Sequence, residues 1–338
     1  MTNYLIVTAL LLVAELIYFR IADRFNIIDK PNERSSHSSI VLRGGGVIFS
    51  LSIVAWAVML AVQGDWQVVV DYLPYLCGLL LVAGVSFWDD VKSLPDSVRL
   101  VVQFVAMGLM FWSMGIMHWS MWWIVLLALI VCVGATNVIN FMDGINGITA
   151  GYALAVLVPL MLLNNDLAFV DTSFLVVAII GVLVFCIFNF RPKGKAKCFA
   201  GDVGSIAIAF IMLFAIGRLV VMTKDVTYLI FLLVYGVDGC LTICHRILLH
   251  ENLGEAHRKH AYQLMANELK IGHVKVSVLY MAMQLVVSLG FIYLCPDSLA
   301  AHWGYLIGTT AVLAVAYVLF KKKYYHLHEE YLASLRKA

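Results

Sequence analysis

The chain has 338 residues, 62% hydrophobic and only 13% charged, with a formal net charge of +2 and a mean hydropathy of +0.92. Soluble domains run at about half apolar and about a quarter charged, so a water-facing globular fold is excluded and the bilayer must solvate most of the surface. The near-neutral charge selects no partner, nucleic acid included, and the location of the charges carries the information.

The first apolar stretch, Tyr4 to Tyr18, has neither a basic leading segment nor a small-residue cleavage site, so it reads as a retained membrane helix. Glu15 inside it reads as a packing residue against a neighbouring helix. A membrane helix needs about 20 mostly apolar residues. On that test eleven spans follow, near residues 3–20, 45–63, 73–88, 99–117, 121–139, 146–163, 172–189, 203–222, 226–243, 275–294 and 302–320. The predicted fold class is therefore all-α and polytopic, a single domain over residues 1–338 with no linker and no internal repeat. The seven cysteines (Cys77, Cys132, Cys186, Cys198, Cys240, Cys244, Cys295) form no CxxC pair and read as small buried hydrophobes.

Orientation follows from Lys and Arg. With the N-terminus outside and the C-terminus in the cytoplasm, 21 of the 23 basic residues fall on the inner side, all but Arg218 and Lys224. The outer connections are short and without motif. The inner loops, near residues 21–44, 89–98, 140–146, 190–202 and 244–274, are rich in Asp, Asn, His, Arg and Gly.

In the first inner loop, Asp29-Lys30-Pro31-Asn32-Glu33-Arg34-Ser35-Ser36-His37 leads to Arg43-Gly44-Gly45-Gly46. Glycines opening a helix offer bare N–H groups to an anion, with Arg34 and Arg43 adding charge; alternatively they let helices pack closely. The second loop holds Asp89 and Asp90, followed by Lys92 and Arg99. Adjacent carboxylates repel, and a divalent cation or a proton is the usual compensation; a solvated helix end is the plainer reading. The third loop carries Asn137, Asn140, Asp143, Gly144, Asn146 and Gly147. Asn137, Asn140 and Asp143 are spaced to share one helix face, which is costly in a membrane unless they line a polar cavity or glue helices together. In the fourth, Asp202 sits between Gly201 and Gly204 at a helix start, placed to hold Mg²⁺ against a phosphate, to cap the helix, or both. The fifth contains His257, Arg258, Lys259 and His260, with Asp238 just inside the preceding span. His257 and His260 are spaced for one helical face, and the cations beside them favour an anion such as pyrophosphate over zinc.

These strings, PNERSSH with RGGG, DD at 89–90, NVINFMDGINGI, GDVGS and HRKH, resemble in this order the polyprenyl-phosphate N-acetylhexosamine-1-phosphate transferase family, of glycosyltransferase family 4 type. The string GEAHRKHAYQ looks most like its O-antigen-initiating branch, and phospho-N-acetylmuramoyl-pentapeptide transferase is a more distant relative. Where relatives commonly carry proline before RGGG, this chain has Val41-Leu42.

The resemblance implies that undecaprenyl phosphate attacks the sugar-bearing phosphorus of a UDP-N-acetylamino sugar, giving undecaprenyl-diphospho-sugar and UMP. It implies Mg²⁺, with Mn²⁺ as the alternative ion, and a multi-pass bacterial inner-membrane enzyme with its site facing the cytoplasm; a homodimer is a matter of family analogy. It assigns Asp89 and Asp90 to the lipid phosphate as catalytic pair, with Arg99 and Lys92 as its cations, and Asp202 to the metal. Asn137, Asn140, Asp143 and Asn146 fall to the nucleotide, and His257, Arg258, His260, Arg43, Gly44 and Gly45 to the diphosphate and sugar. Phosphoryl transfer is mostly positioning and charge neutralisation, which suits these residue types. A transporter of a polar or phosphorylated lipid is the rival reading; it would place charges near the membrane midplane and show paired repeats. An assembly subunit is the third, and it would not need three aspartates together.

Overall fold

The computed structural model describes residues 1–29, 40–254 and 257–337; the side chains of Trp119, Leu335, Arg336 and Lys337 are also outside the description. Lys30 to His37, with Arg34, and Glu255-Ala256 of the fifth loop therefore lie outside the described residues.

The chain runs as α1 (Thr2–Arg24), α2 (Val47–Gln63), α3 (Trp66–Asp71), α4 (Leu73–Val91), α5 (Asp96–Ser113), α6 (Trp122–Phe141), α7 (Ile148–Leu167), α8 (Thr172–Asn189), α9 (Gly201–Thr223), α10 (Leu233–Leu248), α11 (Ala261–Asn267), α12 (His273–Tyr293) and α13 (Leu299–Lys337). Two two-residue strands, β1 (Ile28–Asp29) and β2 (Val41–Leu42), pair antiparallel. The all-α, polytopic expectation is borne out. Every expected span coincides with a helix, and 121–139 and 146–163 are separate helices, α6 and α7. Among the described residues nine helices are long and apolar enough to cross a membrane. Of the other two expected spans, α2 has 17 residues and α5 begins with Asp96 and Arg99, which lower its apolar character. The span near 226–243 opens with a 3-10 segment, Val226–Leu232, before α10.

Lipid is as apolar as leucine, so helices in a membrane associate by close packing and polar links rather than by escape from water. The packing centres on α9, whose residues from Val203 to Ile216 are all buried. Its first turn meets the start of α2 at Gly46 and Gly204. A Cβ on Gly46 would stand 2.3 Å from the Cα of Gly204, so nothing larger than glycine fits this crossing. Farther along, Trp56, Tyr72, Tyr75, Phe174 and Phe214 interlock α2, α4, α8 and α9, with Tyr75 and Phe214 stacked at 3.9 Å.

The cysteines differ from expectation. All are free, but only Cys198 is buried, and Cys77, Cys240 and Cys244 are exposed. Glu15 is wholly buried on α1, its Oε1 3.7 Å from Cys198 Sγ.

The polar connections sort to two ends. At one, β2 bridges to Cys198, Asp90 reaches the start of α9, Asn146 reaches Arg191 and Pro192, and Tyr262 reaches the end of α6. The described parts of all five motif-bearing loops thus meet at the basic end. At the other, Tyr72 meets Asp171, Arg218 meets Phe169 and Asp225 meets His302.

Candidate active site at the basic end of the bundle

Asp89 and Asp90 close the last turn of α4, and their different directions give them different work. Asp90 turns into the bundle, its side chain fully shielded. It accepts the backbone N–H groups of Asp202 and Val203, both at 2.9 Å, and lies 2.7 Å from Arg43 Nε. The first turn of α9 leaves its N–H groups without helical partners, and a carboxylate there is favoured by the helix dipole as well. Asp90 is thus a clamp between Arg43 and the start of α9. Asp89 turns to the other side, accepting the Leu94 N–H at 2.6 Å and facing Arg99 Nη1 at 3.3 Å.

Asp202 stands where the clamp puts it. Its carboxyl shares a hydrogen bond with Asp89. It faces Arg99 Nη2 at 3.3 Å and Arg43 Nη2 at 3.8 Å. Among the described residues no group of three His, Cys, Asp or Glu side chains is gathered to hold a metal ion. Two adjoining carboxyl oxygens are nevertheless the donor type Mg²⁺ takes, since that ion is usually held by one or two carboxylates plus waters and substrate phosphates. Asp89 and Asp202 therefore fit the ion the sequence implies.

The glycines after Arg43 work by packing. Gly45 N–H donates to Phe199 O at 2.9 Å and Gly46 N–H to Ala200 O at 3.0 Å. The expectation that this run presents bare N–H groups to an anion is corrected for Gly45 and Gly46: those groups are spent on the chain leading into α9. At Gly44, with φ +82, a Cβ would strike the Tyr18 hydroxyl, which itself donates to Arg43 O at 2.5 Å and so fixes the arginine's backbone. Burial works against the charge on Arg43, but Asp90 and Asp202 outweigh it and hold its pKa above the usual value.

Asp202 and Arg99 form one wall of a cavity of about 450 Å³, within the range typical of small-molecule sites. Asn137, Asn140 and Phe141 from the end of α6 form a second wall, and Leu253, Gly254, His257 and His260 a third. Asn137 donates to Gln103 at 2.7 Å, and Asn140 accepts from the Ser205 hydroxyl at 2.5 Å. Gln103, which also lines the cavity, and Ser205 were missed by sequence reasoning. Gln103 lies one helical turn after Arg99, and that spacing was the available signal.

Asp143 departs from the expected helix face. α6 ends at Phe141, so Asp143 sits in the turn to α7, accepting from the Thr149 hydroxyl at 2.5 Å. Burial pushes its pKa up to about 6. Asn146 is a structural tie: it is buried, and its side-chain amide donates to Arg191 O at 2.9 Å and Pro192 O at 3.0 Å. It does not line the cavity, contrary to its expected place on the nucleotide. Lys92 is exposed at the end of α4, also outside the lining.

The HRKH string divides in two. His257 to Lys259 are not helical, and His260 is the N-cap of α11, so the expected shared helical face does not exist. The two rings still lie 5.0 Å apart, because the turn into α11 brings them together. Burial, reinforced by His260, Arg246 and Lys259, pushes His257 down to about 3, so its ring is neutral at neutral pH. Arg258 and Lys259 point away, toward α13. Arg258 pairs with Glu268 at 2.8 Å and lies over the Tyr331 ring at 4.1 Å. Lys259 pairs with Glu251, and its carbonyl accepts from Lys321. Arg258 is thus corrected from a cavity-facing group to a fastener of the C-terminal helix.

Residues 72–223 match the family described as glycosyl transferase family 4, and the resemblance read from the sequence is borne out. The matched stretch contains Asp89, Asp90, Arg99, Asn137, Asn140, Asp143 and Asp202, but neither Arg43 nor the HRKH string. A Bacillus subtilis protein named a probable undecaprenyl-phosphate N-acetylglucosaminyl 1-phosphate transferase is 26% identical over 293 residues, covering 81% of this chain and 77% of that protein. The phospho-N-acetylmuramoyl-pentapeptide-transferase of Thermotoga neapolitana is 34% identical over 126 residues, 37% of this chain and 39% of its own length. That of Shouchella clausii is 34% identical over 104 residues, 30% of each.

Proposed function

From the family 4 match over residues 72–223, we propose that the chain transfers an N-acetylamino-sugar 1-phosphate from a UDP-sugar to undecaprenyl phosphate. The observation that supports this most is the joining of Asp89 to Asp202, with Arg43 and Arg99 both directed at Asp202, which lines the cavity together with Arg99. Two adjoining carboxyls and two guanidiniums at a membrane-helix end suit a divalent cation with phosphate oxygens, and they have no evident use in a transport path.

In this reading an oxygen of the lipid phosphate attacks the sugar-bearing phosphorus of the donor. The new P–O bond forms as the bond to the UMP phosphate breaks, and UMP leaves with that electron pair. Mg²⁺, held by Asp202 with Asp89, would neutralise charge on the phosphate oxygens. Arg99 reaches both Asp89 and Asp202, so it sits where lipid phosphate and donor must approach. Arg43, fixed by Asp90 and Tyr18, holds its second guanidinium nitrogen toward Asp202. Asn137 and Asn140, set by Gln103 and Ser205, offer amide groups to the nucleotide side. His257, neutral, and His260 face the opposite wall. Fixed groups of this kind accelerate phosphoryl transfer because they need no reorganisation as charge moves. We assign the basic end to the cytoplasm of a bacterial inner membrane, on the positive-inside rule, and the reaction to the start of O-antigen or a related surface polysaccharide.

The test is UMP release by the purified protein with undecaprenyl phosphate, Mg²⁺ and a panel of UDP-GlcNAc, UDP-FucNAc, UDP-QuiNAc and UDP-GalNAc. Release that needs the lipid, is strongest with one donor and stops in EDTA is expected. Absence of UMP with every donor, from protein shown to be folded, would transfer the case to the lipid transporter.

A further inference from the structure

His260 is 1% exposed and is among the residues that line the cavity, yet its two ring nitrogens have unequal surroundings. Nδ1 lies 3.2 Å from the Asp238 carboxylate, whereas Nε2 is buried with no partner. An unpaired polar atom that is buried is costly, and one on a residue that lines a cavity marks a place where a ligand completes it. Asp238, on α10, is 3% exposed and belongs to no motif of the family resemblance. It also accepts from Tyr280 at 2.6 Å, from the Ala261 N–H at 3.1 Å and from Thr242 at 3.1 Å. The carboxylate is thereby fixed from α10, α11 and α12 at once, and the imidazole resting on it has one orientation.

We propose that Asp238 is a positioning residue for His260: it holds the ring with Nδ1–H on the carboxylate, so that Nε2 is the atom presented to a diphosphate oxygen of the nucleotide-sugar donor. This rests on the reading that the cavity takes such a donor. A carboxylate on one ring nitrogen fixes the tautomer and balances the charge the ring acquires when its second nitrogen carries a proton toward an anion. The division within HRKH follows the same logic. His257 and His260 face the ligand, while Arg258 and Lys259 tie the loop to α13 from behind.

A structural role for Asp238, as the cap of α11, would predict instability without a specific effect on the donor. Two measurements separate the possibilities. Asp238→Asn preserves shape but removes the charge. It should raise KM for the UDP-sugar by about 10- to 100-fold, by analogy with the carboxylate partner of a metal-binding imidazole, with a smaller change in kcat. Combined with His260→Ala it should add nothing to the loss caused by His260→Ala alone, because it acts through that ring. Multiplicative losses, or a wild-type KM in Asp238→Asn, would overturn the proposal. The second measurement needs neither variant nor substrate: in ¹⁵N-histidine-labelled wild-type protein the neutral His260 ring should carry its proton on Nδ1. A ring protonated on Nε2 instead would refute the assignment even if UMP release succeeds. A wild-type protein that binds no UDP-sugar but shows the Nδ1 tautomer would count against the proposed reaction while leaving the His260 orientation standing.

Discussion

The two ends of the bundle hold similar residue types in opposite conditions. At the end away from the basic loops the described carboxylates and amides at the helix ends are settled by neighbours, although the buried Tyr75 hydroxyl has no partner. Asp171 caps α8 through the Ser173 N–H at 2.8 Å, Asn164 closes its own turn on Val170 with both amide atoms, and Asp225 caps the 3-10 segment and pairs with His302. At the basic end Asp89 and Asp202 are pressed together, two arginines converge on them, and His260 Nε2 has no partner. Groups that satisfy one another stabilise a helix end, whereas groups forced together or left incomplete point to a ligand.

Removing one of the converging arginines attacks this difference at its strong point. Arg43→Met leaves Asp90 buried beside no cation, so stability should fall by about 3 kcal/mol and lipid-dependent UMP release by about 100-fold or more. Thermal unfolding in detergent and initial rates check both. A variant with normal rates would remove Arg43 from the site.

The same kind of change at the other end should act on stability alone. Burial pushes the Asp225 pKa up, but hydrogen bonds from Thr227 and His302 outweigh it and hold it below the usual range. A depressed folded pKa contributes stability above the unfolded value, lost as pH falls through the folded one. Asp225→Asn should therefore cost about 1–2 kcal/mol near neutrality, converge with wild type as the pH drops below about 4, and leave turnover within about two-fold. A large loss of turnover at constant stability would make the two ends alike.

Within the basic end a smaller effect is expected at Asp143. Asp143, raised to about 6 by burial, favours its protonated form in the folded state. Stability should decline as pH rises from about 4 through about 6, because the unfolded chain binds fewer protons in that window. Subtracting the profile of Asp143→Asn from that of wild type isolates the slope. No difference between the two would mean that Asp143 titrates as an exposed acid.

Much of this was legible in the sequence because a bilayer imposes simple rules. Apolar runs of fixed length gave the helices, and the loops carrying Asp89, Asp202 and His260 do meet at one end. The errors came from reading spacing as geometry. His257 and His260 are three apart, which on a helix means a shared face, but a cap turn, not a helix, joins them. Gly45 and Gly46 looked like an anion cradle, but the chain entering α9 lies against them and takes their N–H groups. Asn146 and Arg258 are polar in polar loops, and only tertiary contacts show them tied to Arg191 and to Glu268 with Tyr331. Arg258 and Tyr331 are too far apart in sequence for any local pattern to signal their contact.

In the proposed reaction the joined carboxyls of Asp89 and Asp202 serve a ligand. UMP release by wild type and by Asp202→Asn, in the same detergent and lipid and at matched thermal midpoints, tests it most directly. Lipid-dependent release is expected from the first and, from the second, release slower by about 1,000-fold or more with an unchanged fold. Equal rates from the two proteins would contradict it.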